Sequence, residues 1–273
     1  MIPPLKGGAV ESAQPIITIR NLTKSFGDKV VLKGIDLNVT PGHVLGYIGP
    51  NGAGKSTTVK AMVGMLPEFG GQITVCGFDV ARDPLEVKRR IGYVPESAAL
   101  YEALTPMEYL RFIGRLYGLN EAEIEHRARE LLGLFDLASE VDNRMSTFSK
   151  GMRQKVLITA GMVHNPDVLF LDEPLSGLDA NSVVTVKEII SRLAARGKTI
   201  FYCSHVMDVV ERVCDRIVII NDGRIIADGS FEELQASSKA ESLERLFTQL
   251  TSAGGQGAVA DRFIDVIQGA AKS

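Results

Sequence analysis

Hydrophobic and polar positions follow two different periods along the chain, one typical of strands and the other of helices. Near the start, "IITI" and "VVLKGIDLNV" are strand-like segments on either side of the turn "FGDK", which predicts an antiparallel pair. "HVLGYIG" is a buried strand that continues directly into "PNGAGKSTTVKAMVGML", and "QITVCG" and "RIGYV" predict two further short strands. The glycine-rich segment predicts a helix with an apolar inner face formed by Val59, Met62, Val63 and Leu66.

The pattern becomes mainly helical over residues 105 to about 163. "TPMEYLRFIGRLYG" opens with a threonine cap and a proline, and "NEAEIEHRARELLGLFD" opens with an asparagine cap and an acidic first turn. Strands return in "DVLFLD", "KTIFYCS", "DRIVIIND" and "GRIIADG", with the helix "ANSVVTVKEIISRLAAR" between the first two. A helical insert therefore divides a βα core, and we predict an α/β fold with a largely parallel sheet and an antiparallel flank.

Composition narrows the class of protein without identifying it. The 273 residues are 45% hydrophobic and 23% charged, with a net charge of -3, which argues against a nucleic-acid binder that relies on a broad basic face. No uncharged apolar run approaches the roughly 18 residues of a membrane span, and the first residues lack the apolar core of a signal peptide. The three cysteines have no metal-ligand spacing and fit a reducing compartment.

The stretch "GPNGAGKS", residues 49–56, matches the phosphate-loop pattern G-x-x-x-x-G-K-[ST]. Its glycines let backbone N–H groups turn toward phosphate oxygens, and the following helix adds the positive end of its dipole. Lys55 would reach the β and γ phosphates, and the Ser56 hydroxyl would ligate Mg²⁺. Because the stretch lies between a predicted strand and a predicted helix, a glycine-rich turn without function is the weaker interpretation.

Two acidic residues end the apolar strand "VLFLDE". A phosphate loop needs a second carboxylate for magnesium, and Asp172 is placed to supply it. Neighbouring strand residues point to opposite faces, so Glu173 must do something different. We expect Glu173 to polarise a water for attack on the γ-phosphate, the alternative being a solvated acidic turn.

His205 follows the apolar strand "TIFYCS". It should emerge at the same carboxyl edge of the sheet, where ligands bind in open α/β folds. A lone histidine is more often structural, but this position favours a contact with the γ-phosphate.

The stretch "FSKGMRQK" looks like a second helix start that could hold an anion. Ser149 is a good N-cap, and an apolar stripe follows at helical spacing. Lys150 and Arg153 lie in the first turn, where the helix dipole disfavours positive charge. They would make sense there if something negative docks at that end.

Six segments over residues 16–250 resemble, in order, the landmarks of the ATP-binding subunit of an ATP-binding cassette (ABC) transporter. They are "GPNGAGKST", "IGYVPE", "FSKGMRQK", "VLFLDE", "SGLD" and "SH". The family has its phosphate loop, glutamine loop, signature motif, aspartate–glutamate strand, aspartate loop and switch histidine at these places. The resemblance implies a P-loop NTPase core of the ABC ATPase type, with ATP and Mg²⁺ as its ligands.

The resemblance also implies which residues meet the nucleotide. Phe26, in "SFG", would stack on adenine, and Lys55 would assist Glu173 and His205 in catalysis. Glu96 stands where the family usually has a glutamine, and a carboxylate there is a good magnesium ligand beside Ser56 and Asp172. The loop residues that would bind ATP are Gly49, Asn51, Gly52, Ala53, Gly54, Lys55, Ser56 and Thr57.

In the family two cassettes pair head to tail, and the signature helix of one closes over the ATP of the other. Ser149 and the backbone of Gly151 would therefore serve a partner's nucleotide, and Asp179 would lie at the shared interface. The second cassette would be another copy of the chain or a paralogue. The signature is usually Leu-Ser-Gly-Gly-Gln, and Phe148 and Lys150 replace its first and third residues.

The implied function is an ATP-driven motor at the cytoplasmic face of the membrane, bound to an integral membrane permease on a separate chain. "YVPESAALYEALTPMEYL" and "LERLFTQLT" resemble subunits of bacterial ABC-2-type exporters more than those of importers. The main alternative is a soluble ABC ATPase that acts on nucleic acid or ribosomes, although such relatives usually carry two cassettes or long coiled-coil insertions. We expect no direct nucleic-acid binding.

The domain boundaries follow from composition and from the extent of the resemblance. Residues 1–15, with three prolines and two adjacent glycines, should form a flexible leader. The ABC ATPase domain should cover 16–251, with a helical subdomain over about 97–165. The tail, 252–273, should contain a short helix with Val259, Phe263, Val266 and Ile267 on one face.

Overall fold

Strands and helices occur throughout residues 14–96, 100–238, 241–251 and 266–267, which are the residues that the computed structural model describes. The strands are β1 (Ile17–Phe26), β2 (Lys29–Val39), β3 (Val44–Ile48), β4 (Gly70–Val75), β5 (Phe78–Asp79), β6 (Ile91–Val94), β7 (Val168–Asp172), β8 (Thr199–Cys203), β9 (Arg216–Asn221) and β10 (Arg224–Gly229). The helices are α1 (Lys55–Met62), α2 (Pro84–Arg90), α3 (Pro106–Leu116), α4 (Glu121–Gly133), α5 (Lys150–Met162), α6 (Ala180–Ala195), α7 (Met207–Val213), α8 (Phe231–Ser238) and α9 (Leu243–Thr251). Two short 3₁₀ helices, Ala138–Glu140 and Met145–Thr147, lie between α4 and α5.

The strands form two sheets. The larger has the order β10-β9-β3-β8-β7-β6 and is parallel except for β10, which pairs antiparallel with β9. The smaller has the order β2-β1-β4-β5 and is antiparallel. Every residue of β3, β7 and β8 is buried, as expected for central parallel strands covered on both faces. The predicted α/β fold with a largely parallel sheet and an antiparallel flank is therefore confirmed.

The core lies on both faces of the larger sheet, and successive residues of one strand contribute to opposite sides. Phe201 packs with the cluster beneath the smaller sheet and α1, whereas Tyr202 packs with the cluster that includes residues of α3 to α9. This alternation follows from the period of two in a strand. Because β3, β7 and β8 run parallel, their carboxyl ends meet at one edge of the sheet.

Two predicted boundaries are wrong in detail. The first strand was expected to be "IITI", but β1 continues to Phe26, where it pairs with Lys29 across the predicted turn; its register is irregular after Ile19. The helix after the phosphate loop ends at Met62, well before Leu66. Gly64 has a φ of 67° and so takes the left-handed conformation that commonly stops a helix.

The predicted helix starts in the insert are confirmed. Thr105 caps α3 and Asn120 caps α4, and each forms a capping box with the glutamate three residues later. Apolar residues of both helices pack against α5 in the cluster on that face of the sheet. Among the described residues, no helix is long and apolar enough to span a membrane.

Parts of the predicted leader, insert and tail lie outside the described residues. These parts are residues 1–13, 97–99, 252–265 and 268–273. Of the expected apolar face in the tail, Val259 and Phe263 fall among them, while Val266 and Ile267 are helical and exposed. The domain boundaries stay a prediction.

Candidate functional site

The loop between β3 and α1 is shaped by glycines at two positions where a side chain would not fit. A Cβ on Gly49 would lie 2.3 Å from the carbonyl oxygen of Ile220. Gly54, the N-cap of α1, has a φ of 110°, and no side chain of the described residues caps the helix there. The N–H groups of the first turn therefore stay open to an anion, which the helix dipole also favours.

Lys55 lies across this loop. Its Nζ donates to the carbonyl oxygens of Gly49, at 2.6 Å, and Pro50, at 3.2 Å. The loop is supported from behind, because the N–H of Gly223 donates to the carbonyl oxygen of Ala53 at 3.1 Å. The side chain of Ala53 is buried in the core, so this residue contributes backbone rather than side-chain contacts.

Asp172 ends β7 and is only 3% exposed. Burial raises the pKa of its carboxyl, and the nearby carboxylates of Glu96 and Glu173 raise it further. A hydrogen bond from the Ser56 side chain and the charge of Lys55 act in the opposite direction. This concentration of carboxylates beside a hydroxyl is a set of oxygen ligands that fits Mg²⁺, whose charge would offset theirs.

Glu173 follows in a strained conformation. Its φ of 50° is unusual for a residue with a side chain, and its N–H donates to the carbonyl oxygen of Cys203 at 2.9 Å. Its carboxylate accepts from the Ser204 hydroxyl at 3.2 Å and lies 2.8 Å from Nδ1 of His205. The Glu173 side chain is 10% exposed and that of His205 is 71% exposed. A fixed carboxylate and an accessible imidazole therefore lie side by side at the sheet edge.

These groups share one cleft of about 630 Å³. The sequence also missed several of the residues that line it. Lys29 and Val31 come from β2, Met207 from α7 and Phe247 from α9. Of these four, only Met207 could have been found from the sequence, because it follows the predicted His205 by two residues. The predicted residues that line the cleft are Gly49, Asn51, Gly52, Gly54, Lys55, Ser56, Thr57, Glu96, Asp172, Glu173 and His205.

Phe26 is predicted to stack on the base but is not part of the cleft lining formed by the described residues. It is 51% exposed at the end of β1, on the hairpin that continues into Lys29 and Val31. The ammonium of Lys24 lies 5.1 Å from its ring centroid, a cation–π distance. Phe26 is therefore half-exposed, with the Lys24 ammonium over its ring.

The start of α5 lies apart from the cleft, whose described lining includes none of its residues. Ser149 caps the helix as predicted, accepting from the N–H of Met152 at 3.2 Å. Both basic residues of the first turn have partners in the same chain: Lys150 donates to the Ser176 hydroxyl at 2.7 Å, and Arg153 pairs with Glu102 at 3.3 Å.

Asp179 caps α6 near the start of α5. It accepts from the Ser182 N–H at 2.9 Å and from the Ser182 hydroxyl at 2.6 Å. These hydrogen bonds hold the pKa of the Asp179 carboxyl well below its ordinary value, and Lys155, 3.3 Å away, acts in the same direction. Asp179 is exposed, so the structure places it at the surface beside the signature helix.

Comparisons with known proteins identify relatives of this chain. The family profile described as ABC transporter matches residues 32–176. The chain is 38% identical to the ABC transporter ATP-binding protein NatA of Bacillus subtilis (strain 168), over 85% of this chain and 96% of that protein. It is 40% identical to the daunorubicin/doxorubicin resistance ATP-binding protein DrrA of Streptomyces peucetius, over 81% of this chain and 67% of the other. A solved structure of the ATP binding subunit of an ABC transporter is 34% identical and superposes with a TM-score of 0.82, covering 87% of this chain and all of that one. The chain therefore belongs to the ATP-binding proteins of the ABC transporter family.

Proposed function

We propose that this chain is the ATP-hydrolysing motor of an ABC exporter whose membrane permease is a separate chain. One observation carries the proposal: the groups that nucleotide hydrolysis requires converge at the carboxyl ends of β3, β7 and β8. They are a lysine and a serine at the start of α1, two buried carboxylates on β7 and its end, and a histidine after β8.

Binding of ATP and Mg²⁺ falls to the loop and to β7. Lys55 would exchange its two carbonyl partners for oxygens of the β and γ phosphates, since a phosphate is the stronger acceptor for an ammonium. Ser56, Asp172 and Glu96 would hold Mg²⁺, which, when bound, neutralises charge on those phosphates. Phe26 would stack on the adenine.

Glu173 would then act as general base. Its carboxylate would take a proton from a water that attacks the γ-phosphorus; the bond to the bridging oxygen breaks, and ADP and phosphate leave. The contact with His205 and the hydrogen bond from Ser204 fix the direction of the carboxylate. With Nδ1 held by Glu173, Nε2 of the exposed His205 ring would face the γ-phosphate when ATP is present.

A second cassette would complete the site. The N–H of Gly151 lies in the first turn of α5, where backbone donors have no partner within the helix. A hydroxyl that accepts one hydrogen bond still has its own hydrogen to donate, so Ser149 can cap α5 and also contact a neighbour's γ-phosphate. Asp179, exposed beside them, would lie at the interface between the two cassettes.

The permease would dock on the insert at the cytoplasmic face of the membrane. Tyr101 and Phe112 are 64% and 46% exposed, and their rings meet edge to face with centroids 6.4 Å apart. An exposed aromatic pair of this kind is typical of a protein interface. We favour export over import because the relative DrrA is named a daunorubicin/doxorubicin resistance protein.

The test is ATP hydrolysis and membrane association with and without a co-expressed candidate permease. The purified chain should not float with liposomes alone, but should float with proteoliposomes that contain the permease. Tyr101→Arg should abolish stimulation by the permease and spare basal hydrolysis. Leu134→Arg, at a residue of similar exposure in the insert, should leave both the stimulation by the permease and the basal hydrolysis unchanged. Flotation of the chain with lipid alone, or stimulation that survives Tyr101→Arg, would contradict the proposed docking.

A further inference from the structure

The segment of residues 174–179 leads from Glu173 into α6 and packs along the first two turns of α5. Nε2 of Gln154 donates to the carbonyl oxygen of Pro174 at 3.1 Å, inside the protein. A Cβ on Gly151 would lie 2.6 Å from the carbonyl oxygen of Gly177, so the two backbones are in close contact. The start of α5 and the residues after Glu173 are therefore one packed unit.

Lys150 completes this unit with its side chain. Its ammonium donates to the Ser176 hydroxyl at 2.7 Å. Its aliphatic part lies along Gly177, where an added Cβ would be 3.0 Å from two of the lysine's carbon atoms. The lysine therefore lies flat across the 174–179 segment, and its charge is directed at this chain's own serine.

The position of Lys150 in the first turn of α5 is unusual for a cation. The first turn of a helix is unfavourable for a cation because of the dipole. Lys155, one turn further along, already pairs with Asp179 at the far end of the same segment. Lys150 thus adds a second attachment, at the middle of the segment and nearer to Glu173 in sequence.

We propose that Lys150 is a positioning residue for hydrolysis, which fixes the 174–179 segment to the start of α5 through Ser176. The inference rests on the proposed function, because it assigns α5 to a neighbour's nucleotide and Glu173 to the chain's own. Closure of α5 over the neighbour's ATP would then be transmitted through Lys150 and Ser176 to the backbone that carries Glu173. The two ATP sites of a cassette dimer would be coupled by this contact.

The experiment measures kcat and KM for ATP in the assembled transporter for Lys150→Met, Ser176→Ala and the double variant. Each single variant should lower kcat about threefold to tenfold with KM within about twofold, the range expected for one coupled contact. The double variant should be no worse than the more severe single variant, because both changes remove the same contact. Lys150→Arg should recover most of kcat, and Lys88→Met, at an exposed lysine elsewhere, should match the unmodified protein.

Other outcomes have distinct meanings. A rise in KM for Lys150→Met at constant kcat would show that the ammonium contacts the neighbour's phosphate, and would overturn the proposal. Additive losses in the double variant, or unchanged kcat in both single variants, would overturn it as well. If the unmodified complex itself hydrolyses no ATP, the proposed function fails, and that result is separate from any difference among variants.

Discussion

Two helices of this molecule, α1 and α5, begin with backbone N–H groups that have no partner within the helix, and the residues around the two helix starts differ. At the start of α1 the N-cap is a glycine in the left-handed conformation, and no side chain of the described residues caps the helix. At the start of α5 the Ser149 side chain already accepts from the N–H of Met152. Lys55 lies over the first helix end, whereas Lys150 is turned onto Ser176 of its own chain.

The difference teaches that only one of the two ends is prepared to capture an anion unaided. The loop before α1 offers several open N–H groups and a cation, and the same cleft holds the buried Asp172 carboxylate, which could ligate a metal, and the buried Glu173 carboxylate. The start of α5 is exposed, one of its N–H groups is capped by Ser149, and Lys150 and Arg153 have partners in the same chain. It should therefore contribute to ATP binding only when a nucleotide is held against it. Four changes test this distinction.

The largest effect should come from Glu173→Gln. The amide keeps the size of the side chain but cannot take the proton of the attacking water, so hydrolysis should slow by about 10²–10⁴-fold. ATP affinity should change little, because the loop contacts are untouched. Single-turnover hydrolysis and nucleotide titration measure the two quantities separately.

The control for this change is Glu188→Gln, which removes a carboxylate from an exposed ion pair with Arg192. It should leave the rate of hydrolysis unchanged. If Glu173→Gln retained full activity, the general base would have to be assigned elsewhere.

Lys55→Ala should act on binding instead. Removing a charge-assisted hydrogen bond costs about 1.5–3 kcal/mol, which corresponds to an affinity for ATP about 10–10²-fold weaker. Isothermal titration with the isolated chain measures it. Lys60→Ala, on the exposed side of the same helix, provides the matched control, and equal affinities for the two variants would refute the assignment of the loop.

The sequence was most informative where one local rule decides the structure. The buried strands followed from uninterrupted apolar runs, and the loop before α1 followed from its glycine spacing between a strand and a helix. Thr105 and Asn120 were recognisable as caps because the capping box is a local pattern. The end of α1 was missed because its stop depends on the backbone conformation of Gly64.

Contacts between distant segments could not be predicted in the same way. The hydrogen bond from Ser204 to Glu173 requires β7 and β8 to be neighbours, and Phe247 reaches the cleft only because α9 packs beside α7. Lys150 looked available for a ligand because its partner, Ser176, lies 26 positions away in the sequence. Tertiary packing, which no single window of sequence contains, determined each of these.

Apart from the loss of the α5 N-cap, Ser149→Arg should affect only the association of two cassettes. In protein that also carries Glu173→Gln, the ATP-bound dimer should accumulate and be visible by size-exclusion chromatography. A bulky side chain in a closed interface costs about 1–3 kcal/mol, so the added arginine should weaken that dimer by roughly tenfold or more. ATP binding by the single chain should persist. A dimer of undiminished stability would show that α5 does not close over a neighbour's nucleotide.

The smallest effect, and the sharpest test, should come from a comparison of two single variants, Ser149→Ala and Thr105→Ala. Both changes remove an N-cap, so each should lower the free energy of unfolding by about 1 kcal/mol in chemical denaturation. A serine that only caps α5 would have no further effect, and the two variants would then form the ATP dimer equally well. We expect them to differ: Ser149→Ala also deletes a donor to the facing γ-phosphate, and the loss of one hydrogen bond should weaken the dimer by about twofold to tenfold. Thr105→Ala, far from that contact in the sequence and at the start of α3, should leave the dimer intact. Equal dimer affinities at equal stability loss would reduce Ser149 to a helix cap and leave the second ATP contact to backbone groups alone.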